Sequence, residues 1–473
     1  MTLPIMSQYA KQKGIDILSA ADWTHGLWFK EIRMHLEEAT EGLYKIKDQR
    51  SNHVILGSKA TPESDSGQAR MTQRDPLFLL ATEIASIYSQ GGRVRRIHNL
   101  VFAPNFETAE KINKALVKRG CNLMSDGRPI IGLSSKSLLE LILSIDERTM
   151  LIPCHIWTPH FGIYGSASGF DSLEEAFGEL SQYVYGIETG LSSDPEMNWE
   201  VKELENRSIL SFSDAHSPAK MGREATVFEM ESPSYENVRR AIMREKNPIT
   251  ASETKQSQEI ATSSRLSETP RNDNHILYTI EFYPEEGKYH FSGHRNCKVV
   301  FGPEDIKEKG NTCPVCKKRL TEGVLFRVQQ LADQSLLNTV EEKISPHGIK
   351  WYTDKKKQHP PYVKLVPLLE IVAESMSSTV NSQKAKTAFA DLCNTFSSEL
   401  AILLKVPIAE IQKTGGVKLA EGIRRVREGT IAINPGFDGE YGKVKIWEEK
   451  AQSSKVKTQS EETKGKEQLG LFS

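Results

Sequence analysis

Short apolar runs recur along the first half of the chain, and most of them end on a side chain that can bind metal. Gly14-Ile15-Asp16-Ile17-Leu18 leads into Asp22 and His25, Phe78-Leu79-Leu80-Ala81 into Glu83, and Met150-Leu151-Ile152-Pro153 into Cys154 and His155. Ser208-Ile209-Leu210-Ser211-Phe212 delivers Asp214 and His216, while His98 opens the run Asn99-Leu100-Val101-Phe102. Segments of helical periodicity separate them: Phe106 to Lys118, Ser137 to Leu143 and Leu173 to Tyr183. Strand alternating with helix predicts an α/β fold on a parallel sheet. In such folds the C-terminal strand ends face one cleft, so residues placed there share a centre.

One buried histidine is more often a hydrogen-bonded core residue than a ligand. The set carries more weight, because Asp, Glu and His together offer the oxygen and nitrogen donors that Zn²⁺ or Mn²⁺ accept. Several of them on consecutive strand ends can hold two or more ions close together. Cys154 would serve as a nucleophile only with a base and an orienting group, and no such arrangement is recognisable around it. The pattern reads it as a small buried residue.

A second cluster lies further on, where His294-x-x-Cys297 is followed by Cys313-x-x-Cys316. Two knuckles with ligands three apart are spaced for a closed tetrahedral zinc site, and four protein ligands leave no position for substrate. Three of the six cysteines are used there. No disulfide framework remains, which fits a reducing cytoplasm. The chain has no apolar run of membrane-spanning length and no Gly-x-x-x-x-Gly-Lys-Ser/Thr phosphate loop, so neither membrane insertion nor ATP-driven work is expected.

These motifs carry a resemblance. Ala21-Asp22-Trp23-Thr24-His25, Thr82-Glu83, Arg96-Ile97-His98-Asn99, the segment from Pro153 to Pro159 and Phe212-Ser213-Asp214-Ala215-His216 resemble the PHP (polymerase and histidinol phosphatase) superfamily, and within it the endonuclease Q family. Gly287-Lys288-Tyr289-His290, the two knuckles and Glu440-Tyr441-Gly442-Lys443 extend the likeness over most of the chain.

The resemblance implies a distorted, TIM-like PHP barrel, a small zinc-binding module and a mostly helical C-terminal region. It also implies a DNA repair endonuclease that nicks 5′ to uracil, hypoxanthine, xanthine or abasic sites. Asp22, His25, Glu83, His98, His155, Asp214 and His216 would ligate two or three divalent ions (Zn²⁺, Mn²⁺ or Mg²⁺), with Glu83, His155, Asp214 and His216 as the catalytic set. His294, Cys297, Cys313 and Cys316 would hold one structural Zn²⁺. The family opens on a strand ending in His-x-His, and no such pair precedes Asp22. The expectation is therefore a truncated or misassigned start. A small-molecule phosphoesterase of the histidinol phosphatase kind and a catalytically dead DNA-binding homologue remain as alternatives.

The expected organisation is a catalytic barrel over 1–250, a flexible linker over 251–274 and a zinc-finger module over 275–335. A helical DNA-binding region over 336–447 and a disordered tail over 448–473 follow. Leu331 to Val406 reads as helical, broken by the polar stretch from Ser345 to Pro361. A net charge of −1 gives no global attraction to nucleic acid, so DNA contact must come from local patches. Candidates are Lys355-Lys356-Lys357, Lys413, Lys418, Arg424, Arg425, Arg427, Lys443 and Lys445, although solvated helix faces look the same. The tail ends in Gln468-Leu469-Gly470-Leu471-Phe472, which looks like the peptide that docks on the bacterial (β-type) sliding clamp. A cytoplasmic, nucleoid-associated protein is expected.

Overall fold

Two adjacent glycines set the central geometry. Gly91 and Gly92 both have positive φ, at 62° and 72°, as a tight two-residue hairpin turn requires. They join two ten-residue strands, Ala81–Gln90 and Arg93–Phe102, into a long antiparallel ribbon. The computed structural model describes residues 2–47, 75–244 and 274–447.

The ribbon is the middle of a four-stranded sheet in the order Ile130–Ile131, Ala81–Gln90, Arg93–Phe102, Met150–Pro153. A second sheet pairs Ile17–Ser19 parallel to Leu77–Leu79, with Leu43–Ile46 and Leu36–Thr40 beyond. Gly186–Glu188 and Ser208–Leu210 form a parallel pair. Single backbone bonds link neighbours, such as Ala103 N to Leu80 O, Ile156 N to Glu188 O and Thr189 N to Leu210 O. Among the described residues these ladders stay separate sheets of mixed direction. The expected all-parallel sheet is thus corrected to a mixed one, because the Gly91-Gly92 turn folds Glu83's strand directly back on itself. His98 does not open a strand but sits inside one.

Helix Phe106–Lys118 has the predicted bounds and starts where the Asn105 side chain accepts from Thr108 N. Ser135–Ile145 begins likewise at Ser134, whose hydroxyl accepts from Ser137 N. The third expected helix is shorter: Leu173–Phe177 ends at Gly178, with φ 58°, and continues as a 3₁₀ turn over Gly178–Tyr183. Phe78, Leu80, Ile84, Ile97, Val101, Ile112, Leu116, Leu139 and Trp157 form the core behind the ribbon.

The reading of 331–406 as helix is corrected in its first half. Val340–Ile344, Lys350–Asp354 and Tyr362–Lys364 are strands, in keeping with the aromatic and β-branched residues of Trp351-Tyr352-Thr353. They join Ala225–Glu229 and His275–Glu281 in a five-stranded sheet. That sheet draws strands from three of the units the sequence separated. Helices do follow at Leu368–Ser375, Gln383–Phe396, Glu399–Leu404, Ile408–Gly415 and Val417–Glu428 around a second core. The expected linker lies outside the described residues except for Asn274, and the tail and its peptide Gln468, Leu469, Leu471 and Phe472 lie wholly outside them. Among the described residues no helix is long and apolar enough to cross a membrane.

The first helix, Leu3–Lys13, packs against these C-terminal helices. Lys13 Nζ lies 2.7 Å from Glu399 Oε2, with both side chains about 2% exposed. Glu399 Oε1 also accepts from Leu368 N at 3.1 Å. Removing one partner of such a pair strands the other charge in a dry site. Lys13→Met is therefore expected to cost roughly 3–5 kcal/mol in urea unfolding, while Lys13→Met/Glu399→Leu recovers most of it.

Glu281, the last residue of strand His275–Glu281, accepts from Ser211 Oγ at 3.0 Å and Thr189 Oγ1 at 3.2 Å. Complete burial raises its pKa to about 8. The folded protein therefore binds the proton more tightly than the unfolded chain. This contribution is present below pH ~4.5 and is lost as pH rises through about 8. In urea titrations Glu281→Gln should flatten that part of the stability curve.

Candidate metal centres

Strand register brings the first ligands together. Along the ribbon Ala85 is paired with His98 and Glu83 with Leu100. Glu83 and His98 thus sit diagonally across one face, within reach of each other. The neighbouring strand pairs Pro153 with Asn99, so His155, two residues on, arrives beside them. His98 Nδ1 is 2.6 Å and His155 Nε2 3.5 Å from Glu83 Oε1, and the two ring nitrogens are 3.1 Å apart. One donor atom from each residue lies within 4.8 Å of the others, a spacing that could hold a metal ion.

The surrounding chain fixes the rings. Thr158 Oγ1 bonds His155 Nδ1 at 3.0 Å, leaving Nε2 toward Glu83. Phe161 packs on His98 with ring centroids 4.4 Å apart, and its carbonyl accepts from His98 N at 2.9 Å. Such outer contacts orient ligands and hold their tautomers.

Charge is concentrated here. Burial alone would raise the Glu83 pKa, but bonds from His155 and His98 hold it well below the usual carboxylate range. Burial would lower His155, yet Glu83, Glu188 and Asp214 lift it to about 9. His98 is lowered, chiefly by burial. Glu188, pushed to about 7 by burial, accepts from His155 N at 2.8 Å.

The other predicted ligands divide into two groups. Asp22 and Asp214 stand close enough to act electrostatically on the trio: Asp22 is raised by burial, then by Asp126 and Glu83, and Asp214 acts on His155 and Glu188. Asp22, His155 and Asp214 share a left-handed backbone, with φ of 46°, 30° and 43°. Non-glycine residues pay about 1–3 kcal/mol for this, and it gathers at functional sites. His25 and His216 are not in the trio. His25 caps helix Gly26–His35 without a side-chain cap bond, and His216 is 77% exposed, its Nδ1 3.1 Å from Asp214 O.

Arg128 escaped the sequence reading because no motif marks it, yet its Nη1 lies 3.3 Å from Glu83 Oε2. Trp157 is buried and bonds Asn198 Oδ1 at 2.8 Å, a core role. Cys154 is buried and its thiol raised far above its ordinary value by that burial, as an inert residue would be.

The second centre is built from two matching turns. His294, Cys297, Cys313 and Cys316 converge within 4.8 Å, and Cys316 Sγ is 3.3 Å from His294 Nδ1. Lys298 and Lys317, each directly after a knuckle's last cysteine, have φ of 55° and 62°. Burial would raise the Cys313 thiol, but the N–H groups of Cys316 and Val315 bring it to about 6. Thiolate character is what a bound metal needs.

The basic patches fare unequally. Arg427 is buried and its guanidinium bonds the carbonyls of Ile402, Leu403, Val406 and His347. Arg424 and Arg425 are paired with Glu421, and Lys413 with Glu410. Arg427 thus ties neighbouring helices together, whereas the pairs of Arg424, Arg425 and Lys413 lie within single helices at three or four residues' spacing.

Cys313→Ser is expected to release one equivalent of zinc from purified protein, measured by elemental analysis, and to lower the unfolding midpoint. Retention of all zinc would exclude this assignment.

Comparison with known proteins places this geometry. Residues 367–430 match a family described as the MJ0043 C-terminal domain. The uncharacterized protein MJ0043 of Methanocaldococcus jannaschii is 27% identical over 303 residues, 63% of this chain and 32% of that protein. The chain thus spans about a third of that relative's length. The uncharacterized protein YqxK of Bacillus subtilis is 26% identical over 448 residues, 93% of this chain and 91% of its own. Two solved structures share the fold. The lesion-specific endonuclease PfuEndoQ from Pyrococcus furiosus matches with TM-score 0.69 and 24% identity, over 94% of this chain and 90% of that one. Endonuclease Q in complex with a 27-mer duplex substrate, with an abasic lesion at the active site, matches with TM-score 0.70 and 25% identity, over 95% and 92%. The resemblance to endonuclease Q that the motifs carry therefore extends through the fold of nearly the whole chain.

Proposed function

We propose that this chain is a metal-dependent DNA repair endonuclease that nicks the phosphodiester 5′ to deaminated bases (uracil, hypoxanthine, xanthine) or abasic sites. The observation that carries the reading is the convergence of Glu83, His98 and His155 in a fold shared with endonuclease Q. A catalytic unit over 1–250 with a TIM-like strand arrangement, and a zinc-holding module over 275–335, belong to the same proposal.

In this reading Glu83, His98 and His155 hold a divalent ion, with Asp22 and Asp214 completing the donor set; His25 and His216 would have to move inward to join it. When bound, such ions supply Lewis acidity and a nucleophilic water for in-line attack on phosphorus. The residues do the positioning. Glu83 offsets positive charge, Arg128 stands ready to meet a phosphate oxygen, and Glu188 can hold a proton near neutral pH. The peptide Gln468-Leu469-Gly470-Leu471-Phe472 would tether the enzyme to the bacterial sliding clamp, a reading that rests on sequence alone.

End-labelled duplexes carrying uracil, hypoxanthine or an abasic site, with Mg²⁺, Mn²⁺ or Zn²⁺, test the activity. A nick 5′ to the lesion is expected, falling by at least about 100-fold in Glu83→Gln and Asp214→Asn, since each removes charge from the reacting centre. Binding without a nick would identify a dead homologue. Hydrolysis of histidinol phosphate in place of DNA would identify a small-molecule phosphoesterase.

A further inference from the structure

Two motifs, Gly287-Lys288-Tyr289-His290 and Glu440-Tyr441-Gly442-Lys443, have no part in either metal centre, yet the fold bolts them together. Gly436 N donates to Glu285 O, Phe291 N to Gly436 O, Gly439 N to Lys288 O and Gly442 N to Glu286 O. A Cβ at Gly436 or Gly442 would collide with the carbonyls of Gly287 and Glu285, so only glycine permits this approach. The loop is rigid, and it presents Tyr441 at 65% exposure with Lys288 Nζ 4.5 Å from the ring centre. About two thirds of this aromatic is left open to solvent, on a loop whose backbone is tied down.

The charge around it is one-sided. Asp438 is turned inward, accepting from Arg295 N at 2.7 Å and Thr321 Oγ1 at 2.6 Å, and Glu440 is paired with Lys298 at 2.7 Å. The exposed Arg295 guanidinium and Lys443 have no ion-pair partner among the described residues. A Cβ on Gly439 would lie 3.3 Å from Arg295 Nη1 and 3.7 Å from Tyr289 Oη, so these two groups share one side of the loop. Tyr289 in turn meets His160, ring centroids 6.4 Å apart, in the loop between His155 and Phe161. His160, Tyr289 and Arg295 thus run from the loop after His155 toward the Cys/His module, and the Lys288–Tyr441 contact lies on the same pair of motifs.

We propose that Tyr289, Arg295, Tyr441 and Lys443 form a DNA-contact strip, in which Arg295 and Lys443 hold phosphates flanking the lesion and a base freed from its stack lies on Tyr441. The proposal rests on the DNA reading above and deepens it. Cationic groups interleaved with aromatics suit this partner, because phosphate attracts the former and any base can stack on the latter.

The test is fluorescence anisotropy of labelled abasic and intact duplexes with the full chain across a salt series. Tyr441→Ala should weaken binding of the abasic duplex about tenfold and spare the intact one, with Tyr441→Phe near the parent. Arg295→Ala should lower the slope of log affinity against log salt by about 1 on both duplexes. Parent-like binding by Tyr441→Ala and Arg295→Ala would overturn the strip, and equal loss on both duplexes in Tyr441→Ala would overturn the stacking. If the parent protein binds neither duplex, the DNA reading falls and takes the strip with it. Tyr441 is exposed, so its truncation does not threaten the fold.

Discussion

The register of one antiparallel ribbon governs the rest of the site. Because side chains alternate across a strand, a slip of one residue between Ala81–Gln90 and Arg93–Phe102 would send Glu83 or His98 to the opposite face and dissolve the trio. The register is held at one end by the Gly91-Gly92 turn and along its length by the apolar face of Ile84, Ile97 and Val101. The meeting of Glu83 and His98 depends on a turn that begins eight residues after the one and ends six before the other.

Such a scaffold can afford irregular backbone where chemistry needs it. Asp22, His155 and Asp214 follow the ends of their strands in left-handed backbone conformations, and charge links them: Glu83 acts on Asp22 and His155, and Asp214 on His155. The core around Phe78, Leu80 and Trp157 over-determines these bends. The Cys/His module uses the same backbone device at Lys298 and Lys317, though its own core of Val299, Ile306, Cys313 and Leu320 is small. There the converging side chains themselves must supply much of the order.

Much of this was legible in the residues. The apolar runs located Ile17–Ser19, Met150–Pro153 and Ser208–Leu210, and the helical periodicity located helix Phe106–Lys118. Strand direction was not legible, since a run ending on a ligand looks the same whether its partner runs parallel or back. Nor was the strand content of 340–364, because a short two-sided strand carries little period. Arg128 could not be found, as its place beside Glu83 arises from tertiary contact. Arg427 misled for the converse reason: in sequence it belongs to a basic helix, and only the packed helices reveal that it faces carbonyls.

The ion pair between Lys13 and Glu399 gives the chain a temporal constraint. Its partners are 386 positions apart, and synthesis at about 5–20 residues per second separates their emergence by on the order of 20 to 80 s. Throughout that interval helix Leu3–Lys13 has no mate for its buried ammonium, so this helix settles only after residues far downstream have been made. The nascent chain must keep this helix available until the helices around Glu399 arrive, which makes its docking a long-range closure rather than a local step.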